Sequence, residues 1–270
     1  EMAMSLPDAD PPLDALVGLV ILAQMRGDLE RAISLARDLL KHAQDAGRPE
    51  AIAQALLTLG QILAESGETE SALACWAESE VLSGMLGDDV GLAWIQRARG
   101  ELEFWQGNYD AASELLIQVI QQLRPLGERQ LIALCHLDLA KISAVHGDRS
   151  QARAYLADAL DEVTTGGMVI GIWEAIRTGA IVLTLDQPNQ ALMLSDAAEN
   201  WSKLTGNWGS DRRAALANQA RTIAQAQVST ESAEAQGIPI SLRDALLLLQ
   251  KTIAQPNDSS ETLAAPLFDR

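Results

Sequence analysis

Gly27-Asp28-Leu29-Glu30-Arg31-Ala32, Gly67-Glu68-Thr69-Glu70-Ser71-Ala72, Gly107-Asn108-Tyr109-Asp110-Ala111-Ala112 and Gly147-Asp148-Arg149-Ser150-Gln151-Ala152 align without a gap at a spacing of 40 residues. A second glycine ladder, Gly47, Gly87, Gly127 and Gly167, keeps the same spacing, and Gly206 continues it one residue short. A weaker fifth copy, Gln187-Pro188-Asn189-Gln190-Ala191, falls where that slip places it. Two ladders in register are the mark of a repeat protein, and an internal repeat fixes the fold class before any single motif is weighed.

Each ladder has a physical reason. Glycine tolerates the left-handed backbone that closes a helix, so both ladders mark points where one helix stops and another begins. Asp28, Glu68, Asn108 and Asp148 follow the first ladder, where they can cap or neutralise the positive end of the next helix. Between ladders the apolar residues recur at three and four, as in Ile52, Leu56, Leu59 and Leu63, or Leu115, Val119 and Leu123, which is helical spacing. Small residues sit at matching places: Gly60, Gly100, Ala140 and Ala180 in the first helix of each copy, and Ala32, Ala72, Ala112, Ala152 and Ala191 in the second. They let paired helices approach closely. Trp76 aligns with Leu116 and Leu156 and is expected in the core.

These residues resemble the tetratricopeptide repeat, with a small residue in the middle of helix A, a Gly-Asp/Asn turn, and an alanine five residues after the turn glycine. The resemblance covers roughly residues 13–206, and its longer period looks like the variant in bacterial signalling ATPases. Proline at the end of helix B, common in that family, occurs only at Pro49 and Pro125. The fold expected is all-α: a right-handed, tetratricopeptide-like α-solenoid of about five 40-residue helix pairs with a C-terminal helical cap. The expected boundaries are a disordered segment 1–12, repeats at 13–47, 48–87, 88–127, 128–167 and 168–206, capping helices over 207–254, and a mobile tail 255–270.

The C-terminal third is similar to the tail of LuxR-type and related STAND regulators, signal-transduction ATPases with a helical-repeat sensor. The order is Ala197-Ala198-Glu199, the loop Gly206-Asn207-Trp208-Gly209, an alanine-rich helix near 211–228, an acidic hinge at Glu231 and Glu234, and Gly237-Ile238-Pro239-Ile240-Ser241-Leu242-Arg243-Asp244-Ala245. Ser241 with Asp244 three residues on is a capping-box-like helix start. The chain departs from that family in having no Gly-x-x-x-x-Gly-Lys-Ser/Thr loop and no basic recognition helix. The resemblance therefore implies the sensor or scaffold arm of a larger regulator, with nucleotide held only by an upstream domain, or else a stand-alone adaptor that kept the array.

Composition narrows the function classes. The 270 residues carry 20 Lys+Arg against 37 Asp+Glu, a net charge of −17, which disfavours direct nucleic-acid binding and anionic membranes. No apolar run approaches a membrane span and the N-terminus lacks a signal-peptide layout, so a cytoplasmic chain is expected. Cys75 and Cys135 lie 60 residues apart inside helical patterns and read as reduced, packed thiols. His42, His136 and His146 lack metal-ligand spacing, and Gly166-Gly167 with Gly171 reads as a helix-ending turn. No catalytic residue, metal or cofactor is expected, and a hydrolase built on helical repeats is the remote alternative.

A repeat array does offer a concave face lined by its first helices. In the third copy the inward positions are Trp94, Arg97, Glu101, Phe104 and Trp105, an aromatic and mixed-charge set in a chain with 10 aromatics. The fourth copy adds Leu137 and Lys141, with Asp138 adjacent, and the fifth adds Glu174 and Arg177. Such a set suits a protein segment or a small inducer, although Phe104 and Trp105 could equally fill the gap between copies three and four. Trp173 is expected to pack beside its glycine turn, and Trp201 with Trp208 to clasp the Gly206 loop. Val17, Leu57, Arg97, Leu137 and Arg177 at one register position disfavour capture of a chaperone's C-terminal carboxylate.

Overall fold

The computed structural model describes residues 13–166, 169–205, 211–228 and 241–255. The expectations about segment 1–12, the tail from 256, Gly167, Gly206, Trp208 and the Glu231/Glu234 hinge lie outside the described residues. What is described is all-helical, with twelve α-helices and no strand among the described residues, and within each part successive helices, over 13–86 and over 109–205, pack on one another in the manner of an α-solenoid.

They are α1 (Leu13–Met25), α2 (Leu29–Asp45), α3 (Pro49–Ser66), α4 (Thr69–Leu86), α5 (Asp89–Trp105) and α6 (Tyr109–Leu123). After a 3-10 turn at Arg124–Leu126 come α7 (Arg129–His146), α8 (Arg149–Gly166), α9 (Val169–Val182), α10 (Pro188–Thr205), α11 (Asp211–Gln227) and α12 (Leu242–Ile253). The chain divides into two compact units, one ending at Gly91 and the other starting at Leu92. In the first, α1, α2, α3 and α4 pack in sequence. In the second, α7 lies against α6, α8 and α9, and α9 against α8 and α10.

The ladders do what glycine chemistry requires. All seven described ladder members, Gly27, Gly47, Gly67, Gly87, Gly107, Gly127 and Gly147, have φ between +61° and +91°, and among the described residues no other residue type has positive φ. At Gly67 the turn closes with Gly67 N–H donating to Ala64 O (3.2 Å) and Glu68 N–H to Leu63 O (2.8 Å). Capping after the ladder is uneven. Asp28 and Asp148 accept from the backbone N–H of Arg31 (3.1 Å) and Gln151 (2.9 Å), whereas Glu68 and Asn108 make no side-chain cap.

Small residues create the close helix approaches. A Cβ built on Gly60 would meet the Trp76 indole nitrogen and lie 2.6 Å from Trp76 Cδ1, and one on Gly100 would lie 3.3 Å from Leu116 Cγ. Trp76 is in the core, 1% exposed, in the slot filled elsewhere by Leu116 and Leu156. In the second unit, Leu116, Val119, Leu123, Leu131 and Leu139 make one apolar cluster, and Leu156, Ile176, Ile181, Leu183 and Leu194 another.

The C-terminal helix joins that second cluster. Ser241 Oγ accepts from Asp244 N–H (3.1 Å) and donates to the Asp244 carboxylate (2.6 Å), so the expected cap starts α12. Ala245 and Leu249 are buried, and Gly179 of α9 has no side chain where Leu249 sits, 2.5 Å from the position of a Cβ. Arg153 of α8 closes the other end, donating to the carbonyls of Thr252 (2.8 Å) and Gln255 (3.3 Å), where the helix dipole is negative. No helix of the described residues is long and apolar enough to cross a membrane.

Candidate recognition face

Helical spacing places Trp94, Arg97, Glu101, Phe104 and Trp105 along one side of α5, while α7 brings Asp138 and Lys141 and α9 brings Glu174 and Arg177. Five of these nine form a continuous chain of ion pairs across three helices. Arg97 meets Asp138 at 2.7 Å, Asp138 meets Lys141 at 2.8 Å, Lys141 meets Glu174 at 3.1 Å, and Glu174 meets Arg177 at 3.8 Å. Their side chains are only 7–13% exposed.

Burial of this degree would by itself depress the Lys141 ammonium, but Asp138, Glu174 and Glu101 outweigh it and hold the group above the ordinary lysine value. With Glu101 counted, three cations balance three carboxylates. Such a chain costs desolvation roughly equal to what its attractions return, so it adds little net stability while linking α5, α7 and α9. Each terminal arginine also stacks on a tryptophan: the Arg97 guanidinium lies 5.8 Å from the Trp94 ring centre and that of Arg177 lies 4.6 Å from Trp173.

The aromatic expectations divide. Trp94 and Phe104 pack on the Leu116–Leu139 cluster, and Phe104 sits edge-on to Trp105 (4.9 Å) and near Tyr109 (5.8 Å), which in turn faces His146 (6.0 Å). Phe104 thus fills a gap while also reaching the surface. It lines a small cleft with Trp105, Gly100, Glu101, Leu116, Asp138, Lys141 and Ile142. Trp173 is buried and its indole N–H points at Ala198 O of α10 (3.5 Å), while the glycine turn it was expected to pack beside lies outside the described residues. Leu137, expected to face inward, is completely buried.

Burial pushes the Cys135 thiol up to about 12, with Arg97 and Asp138 acting in opposite senses, so it stays protonated at neutral pH. His136 is buried and stacked on Tyr155 (6.2 Å) with its Nδ1 unpartnered, and desolvation lowers its pKa. No group of His, Cys, Asp and Glu among the described residues could hold a metal ion.

Sequence reading missed Arg153, which anchors α12, and the Arg149–Asp186 pair (2.7 Å) next to it. A signal for the first was present. Position 153 is Ile33, Leu73 and Ser113 in the other copies, uncharged each time, and it directly follows the buried alanine of its helix. A cation in such a slot calls for a buried partner.

No family model and no curated protein matches this chain. Among solved structures it is similar to BtubC (BKLC) from P. vanneervenii, with 17% sequence identity and a TM-score of 0.50 over 92% of this chain and 98% of that one. That likeness concerns the helical fold alone.

Proposed function

We propose that this chain is a non-enzymatic recognition module whose ligand docks in the cleft between α5 and α7. The observation that carries the reading is a small cleft of about 10 Å³, lined by Phe104 and Trp105 beside Gly100, Leu116 and Ile142, with Glu101 and the ion-paired Asp138 and Lys141 at its edge. A site of balanced charge suits a protein segment or a small inducer with amide, hydroxyl or zwitterionic groups better than a phosphate. Arg97, Glu174 and Arg177 belong to the reading as supports that hold Asp138 and Lys141 in place.

The array is read as a right-handed, tetratricopeptide-like set of five helix pairs capped by α11 and α12, on the strength of its 40-residue register. The succession of α10, an alanine-rich α11 and a serine-capped α12 supports placing it as the cytoplasmic sensor arm of a STAND-type signalling or transcription regulator. Ligand bound between neighbouring first helices would favour one pitch of the array and pass that preference to an attached domain.

The test is selection of short displayed peptides against the intact chain, followed by affinity measurement on Glu101→Gln/Trp105→Ala. Glu101 flanks the chain of ion pairs and Trp105 lies outside it, so helicity should persist while affinity falls by about tenfold or more, the loss of one good anchor and one polar contact. Unchanged affinity in that variant would remove the cleft as the binding site.

A further inference from the structure

We infer that the outer face of α4 is a docking surface for an amphipathic helix of another protein that carries an apolar ridge between basic flanks. This face lies in the first unit and is independent of the cleft reading.

The observation is a break in the repeat register. The most outward row of α2 is Ser34, Arg37, Lys41, Gln44 and Asp45, all exposed and all polar, as a solvated face should be. The same register positions in α4 are Ala74, Ala77, Val81, Gly84 and Met85, and all five are exposed. Val81 is 61% and Met85 80% exposed, and Leu73 at the edge of the row is 42% exposed. A Cβ on Gly84 would meet nothing within 4 Å, so the row is open along its length. The spacing 74, 77, 81, 84/85 is the i, i+3, i+7 stripe with which one helix meets another.

Charge selects the occupant. α4 contains Glu70, Glu78 and Glu80 and no Lys or Arg. By helical geometry Glu78 flanks the stripe on one side and Glu80 on the other, with Glu70 at the N-terminal end. A nearby cation is Arg37 of α2, which acts on the Cys75 thiol at the edge of the helix. A second copy of the chain would set these carboxylates against their own counterparts, and an anionic lipid surface would be repelled as well. A helix with lysine or arginine beside an apolar ridge satisfies both features at once.

The test uses two synthetic 18-residue helical peptides, acetylated and amidated, sharing one leucine-alanine ridge but flanked by lysine and arginine in one and by glutamate in the other. Fluorescence anisotropy with the full chain should show binding of the basic peptide, weakened by about tenfold or more in Val81→Glu and again in Met85→Glu, and several-fold in Glu78→Gln. Gln121→Glu, at the register position of Val81 in α6, should leave binding unchanged. The inference is overturned if the basic peptide fails to bind, if Val81→Glu binds it as well as the parent does, which would mean attraction by net charge alone, or if the acidic peptide binds equally. It is also overturned if sedimentation shows a dimer that Val81→Glu dissociates, since the face would then belong to a second copy.

Discussion

Replacing Gly60 with alanine adds one methyl group where α3 and α4 already touch. That methyl would lie 2.6 Å from Trp76 Cδ1 and 3.1 Å from Ala72 O, and would overlap the indole nitrogen. Trp76 is 1% exposed, so the ring has nowhere to swing. Overpacking of this kind costs about 1–3 kcal/mol, and contact with a rigid ring and a backbone oxygen argues for the upper end. Alanine's helix preference over glycine returns about 1 kcal/mol, leaving a net loss of about 2 kcal/mol. Trp76→Leu alone should cost about 2–3 kcal/mol through the vacated volume and the lost indole bond to Leu57 O (3.3 Å). In the double variant the added methyl faces a leucine, the arrangement this chain already uses at Ala140 and Leu156, both completely buried. Gly60→Ala should then become stabilising by about 1 kcal/mol in the leucine background, a coupling of about 3 kcal/mol. Urea unfolding followed by far-ultraviolet circular dichroism measures the cycle, and amide exchange in α3 and α4 locates the change where an array unfolds in steps. Additivity of the two substitutions within about 0.5 kcal/mol would refute the packing argument.

Asp138→Ala leaves Arg97 and Lys141 buried without their shared carboxylate and should destabilise the second unit by about 3–5 kcal/mol, while Arg97→Met/Asp138→Leu, which removes the pair together, should recover most of that. Denaturant unfolding decides it, and a loss under about 1 kcal/mol for the single substitution would show the chain of ion pairs to be incidental. His136 supplies a pH dependence. Desolvation lowers its folded pKa, the carboxylates of Asp158 and Glu162 on α8 oppose that, and Arg124 before α7 adds to it. The unfolded state therefore takes up a proton near the ordinary histidine value, about 6.5, before the folded state does. The stability contributed is present above that pH and is lost as pH falls through it toward the lower folded value. His136→Phe should flatten the stability profile below about pH 6.5, and an unaltered slope would exclude His136 as its source.

The ladders and the small-residue pairs were readable because they are dictated locally. A left-handed turn needs glycine whatever surrounds it, and a close helix crossing needs a missing side chain at a fixed register. Caps were only half readable. The short side chains of Asp28 and Asp148 reach back to the backbone, but Glu68 is a methylene longer and makes no such bond, and Asn108 instead donates to the Glu103 carboxylate (2.7 Å). For the recognition face, sequence spacing named the residues but not their engagement. Arg97 and Arg177 were expected to face a ligand, and they face Asp138 and Glu174. That pairing crosses helices whose alignment depends on the packed array, so no local pattern contains it. Arg153 was missed for the same reason, its partners being carbonyls about a hundred residues away.

Short connections set the chain order of these three helices, and the charges bear on the register in which they meet. At the register position occupied by Arg97, Leu137 and Arg177, arginine alternates with leucine, and the carboxylates that receive the arginines lie at other positions, Asp138 on α7 and Glu174 on α9. Gly100, Ala140 and Ala180 share one register position and differ by a single methyl, so packing there distinguishes α5 from α7 and α9 only through that methyl. A shift in register that took Asp138 and Lys141 from between the arginines would leave buried cations facing one another, at a cost of several kcal/mol. The balanced chain therefore contributes little net stability in the correct register and a large penalty in the wrong one. The cleft beside Gly100 inherits fixed Asp138 and Lys141 side chains from that arrangement.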